Sequence, residues 1–463
     1  MVDIYFLSKA SEEWRNEVMR HTGNAGLSIS GSLHAILDGQ LSPKEQFLAR
    51  LLETEWHRVV KIRLYIRNSQ QNMHLDILHI FWTKPAPSLR EFGVKAVDGD
   101  GGVSLPPGAA LFNNNAPHLR SFRWHGLNFD LRAAWIGQLS QLYLPKTCTV
   151  QLALDVLREC PHLYRLTYDS DIPFLDGLPT SKKVDLPELR HLTITADLGA
   201  CFAFLTHITP NPSCVLKMNT RDSPAITARP AKQMTTLVPI LSRYLKAALD
   251  YPARQYKLKF VLREREPYYA LSLEGPKLAV VTTLNFDGVR STEIQASIPE
   301  LFLDALSACK LHSVVTLYCT SDFVHAINAR IIEILFPNFK NLRRLVISDA
   351  FLEIIATDNT FFLPFSLNKI KMMYSRYRLR TFDRRRHLML SLLGRTNHAM
   401  ELDISQHCYH DWRVLDEIPG LKVVWVPKEI KREWKRNVEK EKKNINSSDI
   451  SESQWETESK KIE

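Results

Sequence analysis

A short apolar phrase, Leu-x-x-Leu-x-Leu with substitutions, returns along this chain at intervals of about 20 to 30 residues. Its clearest copies are Leu89, Phe92, Val94; Leu119, Phe122, Trp124; Leu139, Leu142, Leu144; Leu163, Leu166, Tyr168; and Leu189, Leu192, Ile194. Looser copies follow as Val281, Leu284, Phe286; Val314, Leu317, Cys319; Leu342, Leu345, Ile347; Ala399, Leu402, Ile404; and Leu421, Val424, Val426. The last two apolar residues of each phrase stand two apart, the period of a strand, so both point to one face. One such strand cannot bury that face alone. Units stacked side by side join their strands into a parallel sheet and their apolar faces into one core.

Helical segments such as 152–160 and 301–309 lie between phrases and feed the next strand. The alternation predicts an α/β fold, an irregular leucine-rich-repeat solenoid with a parallel sheet and outer helices. Such a stack absorbs 463 residues as one long domain. Residues 1–66 read as its N-terminal capping segment, 67–426 as the solenoid, and 427–463 as a charged helix and disordered tail. In the cap, Ser11 precedes Glu12 and Glu13 as an N-cap should, Trp14 and Val18 mark one face, and Gly23 stops the helix. Ser42-Pro43-Lys44-Glu45 carries a cap, a first-turn proline and a capping-box glutamate. Val60, Ile62, Leu64 and Ile66 alternate with Lys61, Arg63 and Tyr65, as in a strand covered on one face. The interval 210–280 reads poorly as repeats, although Val215, Tyr256, Leu258 and Phe260 can supply strands, and an inserted loop fits there.

Seven scattered cysteines without paired spacing point to reduced thiols and an intracellular protein, in cytoplasm or nucleus. No secretory start and no long uncharged apolar run is present, so no membrane association is expected. The net charge of +10 permits acidic partners without identifying one. Asp98-Gly-Asp-Gly-Gly102 reads as a loop rather than a calcium site, and His407-Cys-Tyr-His-Asp411 lacks the second ligand pair that zinc needs. No catalytic motif stands out, so the expectation is a non-enzymatic chain without cofactor or metal; an enzyme with a dispersed site is the alternative that motif reading cannot see.

Function should then sit on surfaces. If the phrase's apolar residues point inward, those between them point outward onto the shared sheet face. The candidate binding residues are Arg123, His125, Tyr143, Arg165, Asp169, His191, Tyr318 and Arg344, a set rich in arginine and tyrosine. A second surface is the basic stretch 369–386, where Tyr374, Tyr377 and Phe382 interleave with lysine and arginine as a nucleic-acid-binding solenoid would require.

The segments Phe112-Asn-Asn-Asn-Ala-Pro-His-Leu-Arg-Ser-Phe122, Leu157-Arg-Glu-Cys-Pro-His-Leu-Tyr-Arg-Leu166 and Val184-Asp-Leu-Pro-Glu-Leu-Arg-His-Leu192 resemble the leucine-rich-repeat region of the F-box protein family of mushroom-forming fungi. Residues 14–29 resemble the segment that follows the F-box in that family, and no F-box itself is recognisable here. The resemblance implies a protein-protein interaction region that recognises substrates for a ubiquitin ligase. The adaptor of a cullin-RING ligase is a partner only if an F-box is supplied upstream. The purified chain is accordingly expected not to bind that adaptor in a pull-down; stoichiometric, salt-resistant capture would reject the expectation.

Overall fold

The structure is a computed structural model that describes residues 2–3, 10–34, 42–67, 76–97, 103–104, 110–125, 127–128, 130–174, 182–221, 230–250, 255–263, 268–275, 280–287, 292–321, 325–357, 364, 366–373, 390–392, 400–403 and 419–424. The loop 98–102, the cluster 407–411 and the segments 428–443 and 444–463 lie outside these residues, as does the part of the basic stretch beyond residue 373. The chain forms two compact units, one of Met1–Arg254 and Leu262–Lys310, the other of Gln255–Val261 and Leu311–Glu463. The fold is α/β, with a large, mostly parallel sheet and helices.

In the first unit the strands β1 Val2–Asp3, β2 Leu27–His34, β3 Val59–Arg67, β4 Glu91–Val97, β5 Ser121–His125, β6 Gln141–Leu144, β7 Arg165–Asp169, β8 His191–Asp197 and β9 Val215–Arg221 succeed one another in chain order. Each lies parallel to the one before it. The register sets like on like: Leu166 faces Leu192 and Tyr168 faces Ile194. Residue 66, expected to end a capping segment, lies in β3 within this same sheet.

Two hydrogen-bond patterns recur from strand to strand. Before β5, β7 and β8, the first leucine of the phrase donates its N–H to the carbonyl three residues back: Leu119 to Ala116 at 3.2 Å, Leu163 to Cys160 at 3.3 Å and Leu189 to Leu186 at 3.0 Å. Pro117, Pro161 and Pro187 occupy the second position of these turns, where a fixed φ near −65° is the conformation required. Immediately afterwards, one carbonyl of the preceding unit accepts two successive N–H groups. Arg90 O receives Arg120 and Ser121, Arg120 O receives Ser140 and Gln141, Ser140 O receives Tyr164 and Arg165, and Tyr164 O receives Arg190 and His191, all at 2.8–3.2 Å. Leu119, Leu139, Leu163 and Leu189 are fully buried beneath these turns.

The phrase residues form the core together with the elements that cross behind the strands. The helices are α1 Glu12–Thr22, α2 Pro43–Glu55, α3 Asp76–Thr83, α4 Val150–Arg158, α5 Leu198–His207, α6 Pro230–Leu249 and α7 Thr292–Ser307. Phe81 of α3 meets Phe92 and Trp124 edge-on at 5.2 and 5.9 Å, and Tyr168 of β7 stacks on Phe204 of α5 at 4.8 Å. The described connections from β4 to β6 carry 3-10 turns, Leu111–Asn114 and Ile136–Gln138, in place of the expected helices. In the first of these turns Phe112, Asn113 and Asn114 all adopt positive φ, which is costly for non-glycine residues. Burial of the Phe112 ring against Trp56, Phe92 and Trp135 offsets that cost.

Helix α1 begins as expected, with Ser11 capping the Trp14 N–H, and α2 has the full capping box of Ser42 and Glu45. The expected apolar face of α1 is corrected: Trp14 is exposed, and Arg15 is buried instead, its guanidinium over the Phe47 ring. The expected all-parallel pairing is corrected too. Strand β10 Tyr268–Glu274 runs antiparallel to β11 Val280–Asp287, while β9 pairs directly with β11 in parallel. The intervening segment, including the long helix α6, is thus inserted within the interval that reads poorly as repeats.

The second unit repeats the pattern with β12 Val314–Ser321, β13 Arg344–Ile347, β14 Lys369–Met372, β15 Met400–Asp403 and β16 Leu421–Val424, each parallel to its predecessor, and with helices α8 His325–Leu335 and α9 Asp349–Thr357. Asn368 and Lys369 again donate to one carbonyl, that of Arg343, at 3.1 Å each.

The register separates core from surface by a single residue. Leu166→Ala and Leu192→Ala should each cost about 2–5 kcal/mol in denaturant melts, whereas Arg165→Ala should change stability by about 0.5 kcal/mol or less. Equal destabilisation by Arg165→Ala and Leu166→Ala would overturn the register.

Candidate functional site

The strand face opposite the phrase residues carries polar side chains in rows set by the register. One row runs Lys61, Glu91, Ser121, Gln141, Arg165, His191, and another begins Arg63, Gly93, Arg123. Between Arg63 and Arg123 the glycine leaves no side chain, and a depression of about 420 Å³ opens there. Its charged lining consists of Arg63, Lys95, Arg123 and Arg165 against the single carboxylate of Glu91, with Tyr65 exposed beside them. Glu91 is engaged by Lys61 at 2.8 Å and by Arg63 at 3.4 Å. The Oε1 of Gln141 accepts from Arg123 at 3.2 Å and so orients its guanidinium.

The electrostatics of neighbouring groups register this excess of positive charge. Arg123 is held below the usual arginine range by burial and then by Arg165 and Arg63. His191, next to Arg165 across the register, is pushed down by burial and then by Arg165 and Arg190. Its Nε2 lies 3.2 Å from the Tyr164 hydroxyl, with the two rings edge to face. Four cations crowded around one depression, Arg63, Lys95, Arg123 and Arg165, favour an anion between them.

Of the residues expected on this face, Arg123 and Arg165 line the depression and His191 adjoins it. His125 follows in β5 at the register position of Lys95. Tyr143 and Asp169 belong to a different arrangement. The Tyr143 side chain is buried and its hydroxyl donates to Asp169 Oδ2 at 2.6 Å; Asp169 Oδ1 accepts from Arg221 at 2.6 Å, and Arg221 and Lys146 both pair with Asp171. Burial, then the bond to Asp169, raises the Tyr143 phenol, so it stays a donor at neutral pH. These groups satisfy one another, which removes Tyr143 and Asp169 from the candidate site.

Tyr318 and Arg344 stand in the second unit, in β12 and β13. Arg344 is half-buried and 3.9 Å from Asp403 Oδ2, in a row that continues through Lys369, Glu401 and Lys422. Lys369 pairs with Glu401 and lies 3.7 Å from Asp403, and Lys422 pairs with Glu401 at 3.3 Å. The first lysine of the basic stretch is therefore engaged within its own sheet, and Glu401 is held below the usual carboxylate range chiefly by Lys369.

Arg63, Gly93 and Lys95 escape the sequence reading, which places β3 in a cap and takes from β4 only its core residues. The rule that found Arg123 applies equally to them. Among the described residues no cluster of His, Cys, Asp or Glu is arranged to hold a metal, and no helix is long and apolar enough to cross a membrane. Six described cysteines are buried free thiols; burial pushes Cys148, Cys160 and Cys214 up to about 12 and Cys309 to about 11. No protein-family model matches the chain, and no curated protein matches it.

The positive field at the depression can be measured at His191. A folded histidine with a depressed pKa favours the fold above its unfolded value, ~6.5, and loses that contribution as pH falls through the folded value. Removing one cation in Arg165→Ala should raise the His191 midpoint in an NMR titration and lessen the loss of stability in acid. An unchanged or lower midpoint would refute the field.

Proposed function

We propose that this chain is a non-enzymatic, intracellular leucine-rich-repeat solenoid that binds another protein across the polar face of its sheet, and that it corresponds to the substrate-recognition region of an F-box ubiquitin-ligase subunit. One observation carries the reading: strands β1 to β9 lie parallel in chain order, and β5 to β8 are each entered through the same shared carbonyl, so that their outward side chains fall in rows on one sheet face. Arg63, Arg123 and Arg165, with the exposed Tyr65, supply on that face the residue types that dominate protein interfaces. The buried free thiols support a reducing compartment. The resemblance of 112–122, 157–166 and 184–192 to the F-box family's repeats supplies the partner class.

The test places bulk on the face without touching the core. Thr193 and Asn219 lie half-exposed on β8 and β9, among the outward residues. In pull-downs from cell extract, Thr193→Arg/Asn219→Arg should fold normally and lose about 90% or more of the proteins that the unaltered chain retains, a cost of about 1.4 kcal/mol or more. Identical capture by both chains, or retention of no protein by either, would overturn the proposal.

A further inference from the structure

We infer that the groove between α1 and α2 receives a carboxylate side chain of an acidic polypeptide segment, with Arg15 as the residue that binds it. These helices connect β1 to β2 and β2 to β3, so the site is no part of the strand face and does not rest on the function proposed above. Arg15 is only 9% exposed, and among the described residues its guanidinium has no hydrogen-bond acceptor and no ion-pair partner. Arginine cannot relieve this by losing its proton, so the buried group stays charged and unmatched. Arg58, equally buried, shows what a structural role requires: it donates to Ala25 O at 2.9 and 3.2 Å, to Thr22 Oγ1 at 2.9 Å and to Glu55 Oε2 at 2.8 Å. The carboxylates of α1 and of the groove are committed elsewhere. Glu13 bonds its own N–H and Ser11, with Arg15 the least of the influences on it, and Glu17 bonds Arg20 and His21. Arg58 holds Glu55, and Arg50 lies 3.9 Å from Glu12, which leaves Arg15 as the uncompensated charge.

The surroundings of Arg15 select the ligand. Its guanidinium lies 4.7 Å from the centroid of the Phe47 ring, which covers one face and leaves the planar edge to donate. That edge matches a carboxylate through two parallel charge-assisted hydrogen bonds. A monoanion balances the one uncompensated charge. A second negative charge would meet Glu12 and Glu55 in the same groove with no cation left to take it up. The shape of the groove selects the carrier. Its lining follows α2 from Pro43 to Glu55, about 18 Å of helix, yet it encloses only about 210 Å³. Small-molecule sites are compact hollows that surround most of their ligand. A long, shallow trough suits polypeptide laid along the two helices, with one acidic side chain reaching Arg15. Met19 and Leu51 in the lining offer apolar surface to the stem of that side chain, and the amides of Asn16 and Gln46 offer donors and acceptors to its backbone.

The probes are bead-bound degenerate peptide libraries centred on glutamate or on glutamine, at physiological salt. The chain should prefer the glutamate library, and Arg15→Met should cut that preference about tenfold, a difference of about 1.4 kcal/mol. Comparing the two chains cancels whatever the cations of the polar face contribute. Met19→Glu sets an internal carboxylate one turn along α1 from Arg15 and should cut the preference as far, whereas Met19→Gln should keep it. In the free chain Arg15→Met removes a charge that has no partner, so the thermal midpoint should hold or rise, while Arg58→Met strips the bonds described above and should lower it. A preference unchanged by Arg15→Met or by Met19→Glu would overturn the inference, as would release of the bound chain by free propionate at the concentration of competing peptide. A midpoint lowered by Arg15→Met as far as by Arg58→Met, or failure of that variant to fold, would make Arg15 a structural residue and overturn it too. Thr193→Arg/Asn219→Arg alters only the strand face, so the Arg15-dependent part of the preference should persist there even as protein capture from extract is lost. Its disappearance in that variant would put the ligand on the sheet and reject the groove.

Discussion

The structure depends on one carbonyl serving two donors. At the start of β5, β6, β7, β8 and β14 a backbone oxygen of the previous strand's unit takes the N–H groups of two successive residues, as Tyr164 O takes those of Arg190 and His191. Buried or partly buried peptide groups must find partners, and this arrangement satisfies two donors while fixing both the position and the direction of the incoming strand. Once that is set, parallel register, the stacking of Leu166 on Leu192, and the outward placement of Arg165 beside His191 all follow without further adjustment. The turn that precedes it is prepared by proline, whose fixed φ lowers the conformational freedom that must be lost on ordering.

The core and the face are therefore two readings of one backbone. Large rings fill the apolar side of the first repeats, with Phe92 against Phe81, Phe112 and Trp124 and Phe81 against Trp124. In front, the same strands hold cations that would repel one another if the sheet did not impose their spacing. Arg63 and Arg123 flank a residue without a side chain, so repulsion is relieved by distance while the space between them stays open. Farther along, the same face closes on itself: Tyr143, Asp169, Arg221, Asp171 and Lys146 exchange hydrogen bonds and charge and leave nothing unpaired for a ligand.

Much of this was legible in the sequence because the two-residue period of strands is a strong signal and apolar residues obey it closely. Phe92, Val94, Phe122, Trp124, Leu142, Leu144, Leu166, Tyr168, Leu192 and Ile194 are all buried as their spacing requires. The outward positions of Arg123 and Arg165 followed by the same rule. What a one-dimensional reading lacks is lateral distance. It could not show that Asp169 in β7 meets Arg221 in β9, which turns an apparent interface residue into part of a closed network. Nor could it value Gly93, whose importance lies in what its neighbours in adjacent strands leave empty. The division into two units and the antiparallel β10 were hidden for a related reason: an insertion breaks the period, and pairing across it is set by tertiary packing.

The six buried thiols carry a consequence for the dynamics of the chain. They sit in turns, helices and strands across both units, at Cys148, Cys160, Cys201, Cys214, Cys309 and Cys319. A thiol shielded by burial reacts with an alkylating reagent only when its surroundings open, because the thiolate is the reactive form and packing suppresses it. Each cysteine is thus a native reporter of its own repeat. Their separate labelling rates measure whether a stack held together by neighbour contacts opens one repeat at a time or yields as a whole.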